Sequence, residues 1–482
     1  MEPIPTGVPG LDLVLHGGLR PRALHVVGGL PGTGKTTLAQ QISYHHAKMG
    51  GKVLYLVALS ETAERLVGHA AGFSFFDSAM VAHRIYYISV YPKLEEAGLS
   101  GVMEEVRMLS LEQKASLVCL DGISTLKAAA PAPLDFRRFI FDFNSQLRSL
   151  GATTLILGPW VEWEATDPEF AVADGILTLT LEPGDHGMQR YLEVLKLRGS
   201  EHLAGRHSLS ITRDGISVYP RLEASLHAEG VRQPSGRWTR VRTGTDGLDQ
   251  MLQGGIPSAS ITLLAGVPGA GKTTLGLSFL AESGRSGERG IYFGFDEAPS
   301  RLIPKADALG LGISQLVDEQ KVRIHWSPPM EFIPDQVAWE LLGLVDRIDA
   351  TRLVIDGMDR LVPALLDSGR AQSFITALMA GLRGKDVTTL LTYELPRVTG
   401  DGLETFYERV GAAVDNIIML QYVELRSELH RLISILKVRE SDFDPSIREF
   451  TISRGGLHVA NTFGGAEAVL TGIGHWRGRR AQ

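Results

Sequence analysis

An internal duplication constrains the fold of this chain more than any other feature. Thr6-Gly-Val-Pro-Gly-Leu-Asp12 returns as Thr243-Gly-Thr-Asp-Gly-Leu-Asp249, and Gly34-Lys35-Thr36-Thr37 returns as Gly271-Lys272-Thr273-Thr274, both at a spacing of 237. Asp121, in Leu-Val-Cys-Leu-Asp-Gly, matches Asp356, in Leu-Val-Ile-Asp-Gly, at 235, and Lys196-Leu-Arg198 matches Lys437-Val-Arg439 at 241. Four elements in one order, with a spacing that drifts by only a few residues, make each half a complete domain. The division predicted is 1–222 and 238–472, joined by a linker at 223–237 in which Gly230, Pro234, Ser235 and Gly236 interrupt any periodic pattern. Residues 473–482, with Arg477, Arg479 and Arg480, read as a solvated basic tail.

Within each half, short apolar runs alternate with longer helical patterns. His25-Val-Val27, Val53 to Val57, Leu117 to Leu120 and Thr154 to Leu157 read as buried strands. Their counterparts are Ile261 to Leu264, Gly290 to Phe293, Leu353 to Ile355 and Thr389 to Thr392. Such alternation predicts an α/β fold, a mainly parallel sheet flanked by helices in each half. A nucleotide then belongs at the carboxyl ends of the strands.

The first strand of each half runs into a glycine-rich loop, Gly29-Leu-Pro-Gly32-Thr33-Gly34-Lys35-Thr36 and Gly266-Val-Pro-Gly269-Ala270-Gly271-Lys272-Thr273. Both fit the phosphate-binding pattern G-x-x-x-x-G-K-[ST], and each continues into a second threonine, Thr37 or Thr274. Glycines let backbone N–H groups converge on phosphate oxygens, and the helix that follows directs its positive end at the same anion. Lys35 and Lys272 are the candidate β/γ-phosphate ligands of ATP, and Thr36 and Thr273 the candidate Mg²⁺ ligands. Asp121 and Asp356, at the ends of apolar strands, would hold the same Mg²⁺ through its water shell.

Ser60-Glu61 in one half and Asp296-Glu297 in the other follow the second strand. Glu61, Asp296 and Glu297 are candidates to orient the attacking water. Serine cannot act as a base, so the first half should turn over more slowly if the first place matters. Lys196 and Arg198, and Lys437 and Arg439, stand two apart on strands and so share a face. Two readings stay open from the residues: a solvated edge ladder, or a cationic finger reaching the ATP of an adjacent subunit.

Bulk composition narrows the setting. A formal net charge of -7 gives no global pull toward nucleic acid or anionic lipid. Cys119 is the one cysteine, flanked by Leu117, Val118 and Leu120, so it reads as a buried core thiol in a reducing cytoplasm. No secretory leader pattern opens the sequence and no apolar run reaches the ~20 residues of a membrane span.

Taken together these residues resemble the KaiC-type family of tandem RecA-like P-loop ATPases. The resemblance spans nearly the whole chain: Thr-Gly-(x)₂-Gly-Leu-Asp before each loop, the acidic pair, Leu195-Lys-Leu-Arg-Gly-Ser200, Leu420-Gln-Tyr-Val-Glu-Leu-Arg426, and Ser441 to Phe450. It implies a double-ring homohexamer with ATP at subunit interfaces and slow hydrolysis. It also implies that Lys196, Arg198, Lys437 and Arg439 act in trans, and it allows regulatory protein partners. The family carries glutamate at the first place of the acidic pair, so Ser60 and Asp296 both depart from it. The family's clock members phosphorylate an adjacent Ser/Thr pair, for which this chain has Gly411 and Ala412, with Thr405 and Tyr407 the nearest upstream hydroxyls. Three functions follow for test: an oligomeric regulatory Mg²⁺-dependent ATPase, a Ser/Thr autokinase, and a RecA-like DNA-handling protein. The acidic charge balance and the lack of a basic-aromatic stripe weigh against the last.

Overall fold

Val53-Leu-Tyr-Leu-Val57 shows how the first half folds. Val53, Tyr55 and Val57 join a buried cluster with Leu38, Ile42 and Tyr44 of the helix Lys35–Lys48, whereas Leu54 and Leu56 join another with Leu120, Phe136 and Phe143. Side chains alternate across a strand, so a run apolar at every position must be covered on both faces. That is the arrangement of a central parallel sheet between helical layers.

The computed structural model describes residues 2–482 except 59–62, 160–167, 185–186, 231–238, 329–332, 362–368, 396–410, 412, 426, 440, 461–465, 468–474 and 477–482. The chain separates into two compact units, Met1–Ala228 and Glu229–Gln482.

The first unit carries one sheet of nine strands. In chain order they are β1 (Leu24–Gly29), β2 (Val53–Val57), β3 (Ile85–Ser89), β4 (Leu117–Asp121), β5 (Thr153–Gly158), β6 (Gly175–Gly184), β7 (Gly187–Leu197), β8 (Arg206–Thr212) and β9 (Gly215–Tyr219). Their order across the sheet is β3-β2-β4-β5-β1-β6-β7-β8-β9, with the first six parallel and β7 to β9 antiparallel. The second unit opens with a short ladder of β10 (Arg240–Val241) and β11 (Ile256–Pro257). Its main strands are β12 (Ile261–Gly266), β13 (Gly290–Gly294), β14 (Val322–Trp326), β15 (Arg352–Asp356), β16 (Thr388–Glu394), β17 (Asn416–Leu425), β18 (Glu428–Val438), β19 (Arg448–Ser453) and β20 (Gly456–Val459). They repeat the first order as β14-β13-β15-β16-β12-β17-β18-β19-β20. The α/β class and the mainly parallel sheets read from the sequence are present in both units, while the antiparallel extension was legible only at β7 and β18.

The Thr-Gly-(x)₂-Gly-Leu-Asp motif has a structural task. Thr6 N and Oγ1 both donate to Asp12 Oδ1, at 2.9 and 2.6 Å, and Thr243 repeats this on Asp249 at 2.7 Å for each bond. The carboxylate closes the loop ahead of each P-loop strand. Cys119 is buried, as read, and burial pushes its thiol up to about 12. In the region predicted as a tail, His475–Trp476 (β22) pairs antiparallel with Ala466–Glu467 (β21), while Arg477, Arg479 and Arg480 lie outside the described residues. No helix among the described residues is long and apolar enough to cross a membrane.

Candidate functional site

Each P-loop turns at the carboxyl end of the strand central to its sheet, between β5 and β6 or between β16 and β17. The turns need glycine: Gly32 and Gly34 have φ of 81° and 109°, and Gly269 and Gly271 have 73° and 108°. A Cβ on Gly34 would also lie 2.7 Å from Ile211 Cδ1, and one on Gly271 2.9 Å from Ile452 Cδ1. The helices Lys35–Lys48 and Lys272–Arg285 begin directly after these glycines. Thr33 and Ala270 are buried inside their loops, and Thr274 is buried in its helix.

Lys35 Nζ donates to Gly29 O at 2.7 Å and Leu30 O at 2.9 Å; Lys272 Nζ donates to Gly266 O at 2.8 Å and Val267 O at 2.9 Å. Burial holds both ammonium groups below their ordinary pKa, partly offset by Asp121 for Lys35 and by Glu394 and Asp356 for Lys272. Thr36 Oγ1 donates to Asp121 Oδ2 and Thr273 Oγ1 to Asp356 Oδ2, each at 2.8 Å. The sequence therefore named hydroxyl and carboxylate partners that the fold brings together from 85 and 83 residues apart. In the first unit a cavity of about 470 Å³ is lined by Gly32, Lys35, Thr36, Thr37, Asp121 and Pro159 among others. Loop glycines without Cβ atoms, a lysine at the loop and a Thr–Asp pair beside it fit the phosphates and Mg²⁺ of a nucleotide.

Tyrosines that the sequence reading passed over complete the site. Tyr55 OH donates to Asp121 Oδ2 at 3.3 Å and Tyr292 OH to Asp356 Oδ2 at 2.5 Å. Both are buried, and burial together with the adjacent aspartate pushes both phenols well above their ordinary pKa. They remain neutral donors. Their spacing of 237, the same as that of the P-loops, was a signal in plain view. The second unit adds Thr392 Oγ1, which donates to Asp356 Oδ1 at 2.5 Å, where the first unit has Leu157.

The acidic pair of the second unit is held by cations. Arg360 Nε lies 3.0 Å from Asp296 Oδ1, and Lys305 Nζ 3.1 Å from Glu297 Oε2. Glu61 and Ser60 lie outside the described residues.

The Lys-x-Arg pairs sit where β7 and β18 end. A bulge precedes each, since Ile176 pairs with Lys196 but Leu177 with Val194, and Ile417 pairs with Lys437 but Ile418 with Ile435. Lys196 Nζ donates to Phe170 O at 3.2 Å, and Lys437 Nζ to Gly411 O and Val414 O at 3.0 and 2.8 Å. Arg198 lies 4.0 Å from Asp174, and Arg439 3.3 Å from Asp415. β8 pairs with β7 at Arg190 to Glu193 and β19 with β18 at Leu432 and Ile433, so both Lys-x-Arg pairs stand past the point where the next strand's pairing ends. Neither pair approaches the P-loop of its own unit, because Asp174 and Asp415 accept the N–H of Leu24 and Ile261, at the opposite end of the P-loop strands.

Comparison with known proteins agrees with this geometry. A family model described as "ATPase: KaiC" matches residues 4–223 and again 241–462. The chain is 28% identical to the circadian clock oscillator protein KaiC of Picosynechococcus sp., over 98% of this chain and 92% of that one. It is 28% identical to KaiC of Rippkaea orientalis, over 97% and 91% of the two chains. It is 27% identical to KaiC 1 of Synechocystis sp., over 98% and 92%. With a P-loop, a strand-end aspartate and a matching family model in each half, the chain belongs to the KaiC family of tandem RecA-like ATPases.

Proposed function

We propose that the chain binds Mg²⁺·ATP at both P-loops, hydrolyses it mainly at the second, and assembles into a homohexamer with nucleotide at the subunit interfaces. The observation that carries this reading is the repeated constellation of lysine, threonine and aspartate, with Thr–Asp contacts of 2.8 Å in both units. Lys35 and Lys272 bind β- and γ-phosphate oxygens, and Thr36 and Thr273 ligate the metal while Asp121 and Asp356 orient its water shell. Mg²⁺, when bound, would neutralise phosphate charge and fix the geometry of the nucleotide's phosphate tail. In the second unit Asp296 and Glu297, which Arg360 and Lys305 hold in place, are the groups that orient water. In the first unit Glu61 has that role alone.

Arg198 and Arg439, remote from their own P-loops and half exposed, support action in trans, with Lys196 and Lys437 bracing the strand ends. The name of the Synechocystis relative, a clock oscillator, invites an autokinase reading. Gly411 and Ala412 offer no acceptor hydroxyl there, and Thr405 and Tyr407 lie outside the described residues. We therefore place the chain as a regulatory ATPase of the cytoplasm, with protein rather than nucleic-acid partners. Sizing by light scattering with and without Mg²⁺·ATP tests the assembly: a nucleotide-dependent hexamer is expected, and a size indifferent to nucleotide would refute interface ATP.

A further inference from the structure

Glu394 ends β16 in register with Gly266, the first residue of the second P-loop. Its Oε2 lies 3.9 Å from Lys272 Nζ, which already donates to two loop carbonyls. An ammonium has three donors, so the carboxylate competes for the same cation that a terminal phosphate would seek. Glu394 is also connected. Its backbone N–H donates to Asp359 Oδ1 at 3.3 Å, Asp359 lies 3.7 Å from Arg360, and Arg360 Nε lies 3.0 Å from Asp296. A line of charged residues thus runs from the P-loop lysine to the acidic pair.

Among its described residues the first unit has no such line. By the spacings of the duplication, Ser60, Ser124, Thr125 and Pro159 stand where the second unit has Asp296, Asp359, Arg360 and Glu394. Pro159 lines the first nucleotide cavity, while Lys35 makes the same two carbonyl bonds as Lys272. Two loops of one geometry therefore differ in charge at the place nearest the lysine.

We propose that Glu394 is a selectivity carboxylate of the second nucleotide site: it neutralises Lys272 while the terminal phosphate position is empty and opposes a γ-phosphate there, so that the second site discriminates against ATP relative to ADP and the first does not. The proposal rests on the reading of both loops as nucleotide sites. ADP keeps the β-phosphate contacts with loop N–H groups and brings no charge to the contested position. ATP must displace the carboxylate from Lys272 and then bear its repulsion. Glu394 is half exposed, so the opposition is screened by salt.

The test is equilibrium binding, without turnover, to the full chain carrying Lys35→Ala, so that only the second site reports. A non-hydrolysable ATP analogue and ADP are titrated with Mg²⁺ against this chain with and without Glu394→Gln. The analogue should bind about fivefold more tightly to the glutamine variant and ADP less than about twofold, a difference that shrinks in high salt. Glu394→Asp, which keeps the charge, should stay near the parent chain. Equal tightening of both nucleotides, no change, or weaker binding of the analogue would overturn the proposal while leaving the ATP-site reading intact. Failure of either nucleotide to bind any of these chains would overturn both.

Discussion

Tyr292 donates its hydroxyl to Asp356 Oδ2 at 2.5 Å, the oxygen that also accepts from Thr273. Tyr55 makes the same contact with Asp121 at 3.3 Å. A hydroxyl donor on each strand-end carboxylate fixes the acceptor that orients the metal's water shell. Tyr292→Phe removes the donor without changing the packed ring. A hydrogen bond to a charged acceptor contributes about 1.5–3 kcal/mol, so the second unit should lose stability in that range. Its half-saturating Mg²⁺ concentration for ATP binding should rise severalfold. Tyr55→Phe, at the longer contact, should lose less. Denaturant unfolding and Mg²⁺ titration check both.

His25 and Gly175 are partners across β1 and β6, and a Cβ on Gly175 would lie 2.2 Å from His25 Nδ1. The second unit solves the same position as Thr262 opposite Asn416, with Asn416 Nδ2 donating to Thr262 Oγ1 at 2.8 Å. Gly175→Ala should destabilise the first unit by about 1–3 kcal/mol through overpacking, and His25→Thr should relieve it.

The same histidine makes stability depend on pH. Burial lowers its pKa from 6.5 to about 4. The unfolded chain therefore binds a proton at His25 below pH 6.5 that the folded chain refuses until about pH 4. Stability of the first unit falls as pH drops through that window, by about 3 kcal/mol from this group, and rises again on return to neutral pH. The double variant His25→Thr, Gly175→Asn should flatten the difference curve between pH 4 and 6.5, measured by denaturant midpoints.

Arg439 and Arg383 share Asp415 but differ in task. Arg383 donates to Asp415 Oδ1 and Oδ2 at 3.1 Å each and to Ala413 O at 2.6 Å, whereas Arg439 is half exposed. Arg439→Ala should change unfolding by no more than about 0.5 kcal/mol, and Arg383→Ala by about 1–3 kcal/mol. If Arg439 serves a neighbouring subunit, its alanine variant should lose turnover, and mixing it with a Lys272→Ala chain should restore part of it. Mixed rings would contain interfaces with both residues intact. No recovery on mixing would assign Arg439 to its own subunit.

The sequence carried the frame of this account and missed its fine control. The spacing of 237 identified both loops, and apolar runs such as Val53 to Val57 identified parallel strands covered on both faces. Asp121 and Asp356 were legible because they end such runs. Tyr55 and Tyr292 were hidden because an aromatic residue in a buried strand reads as core, and only the fold shows a hydroxyl reaching the next strand. Glu394 and Arg360 were hidden for a different reason. Their partners are 122 and 64 residues away, and no periodicity marks them. The Lys-x-Arg pairs left two readings open because residues two apart on a strand share a face whatever that face meets.

The most direct test of two unequal nucleotide sites is the turnover of Lys35→Ala and Lys272→Ala chains at saturating Mg²⁺·ATP, each confirmed to be folded. Lys272→Ala should lose most of the hydrolysis, whereas Lys35→Ala should retain the greater part. Equal losses, or the larger loss in Lys35→Ala, would contradict this inequality.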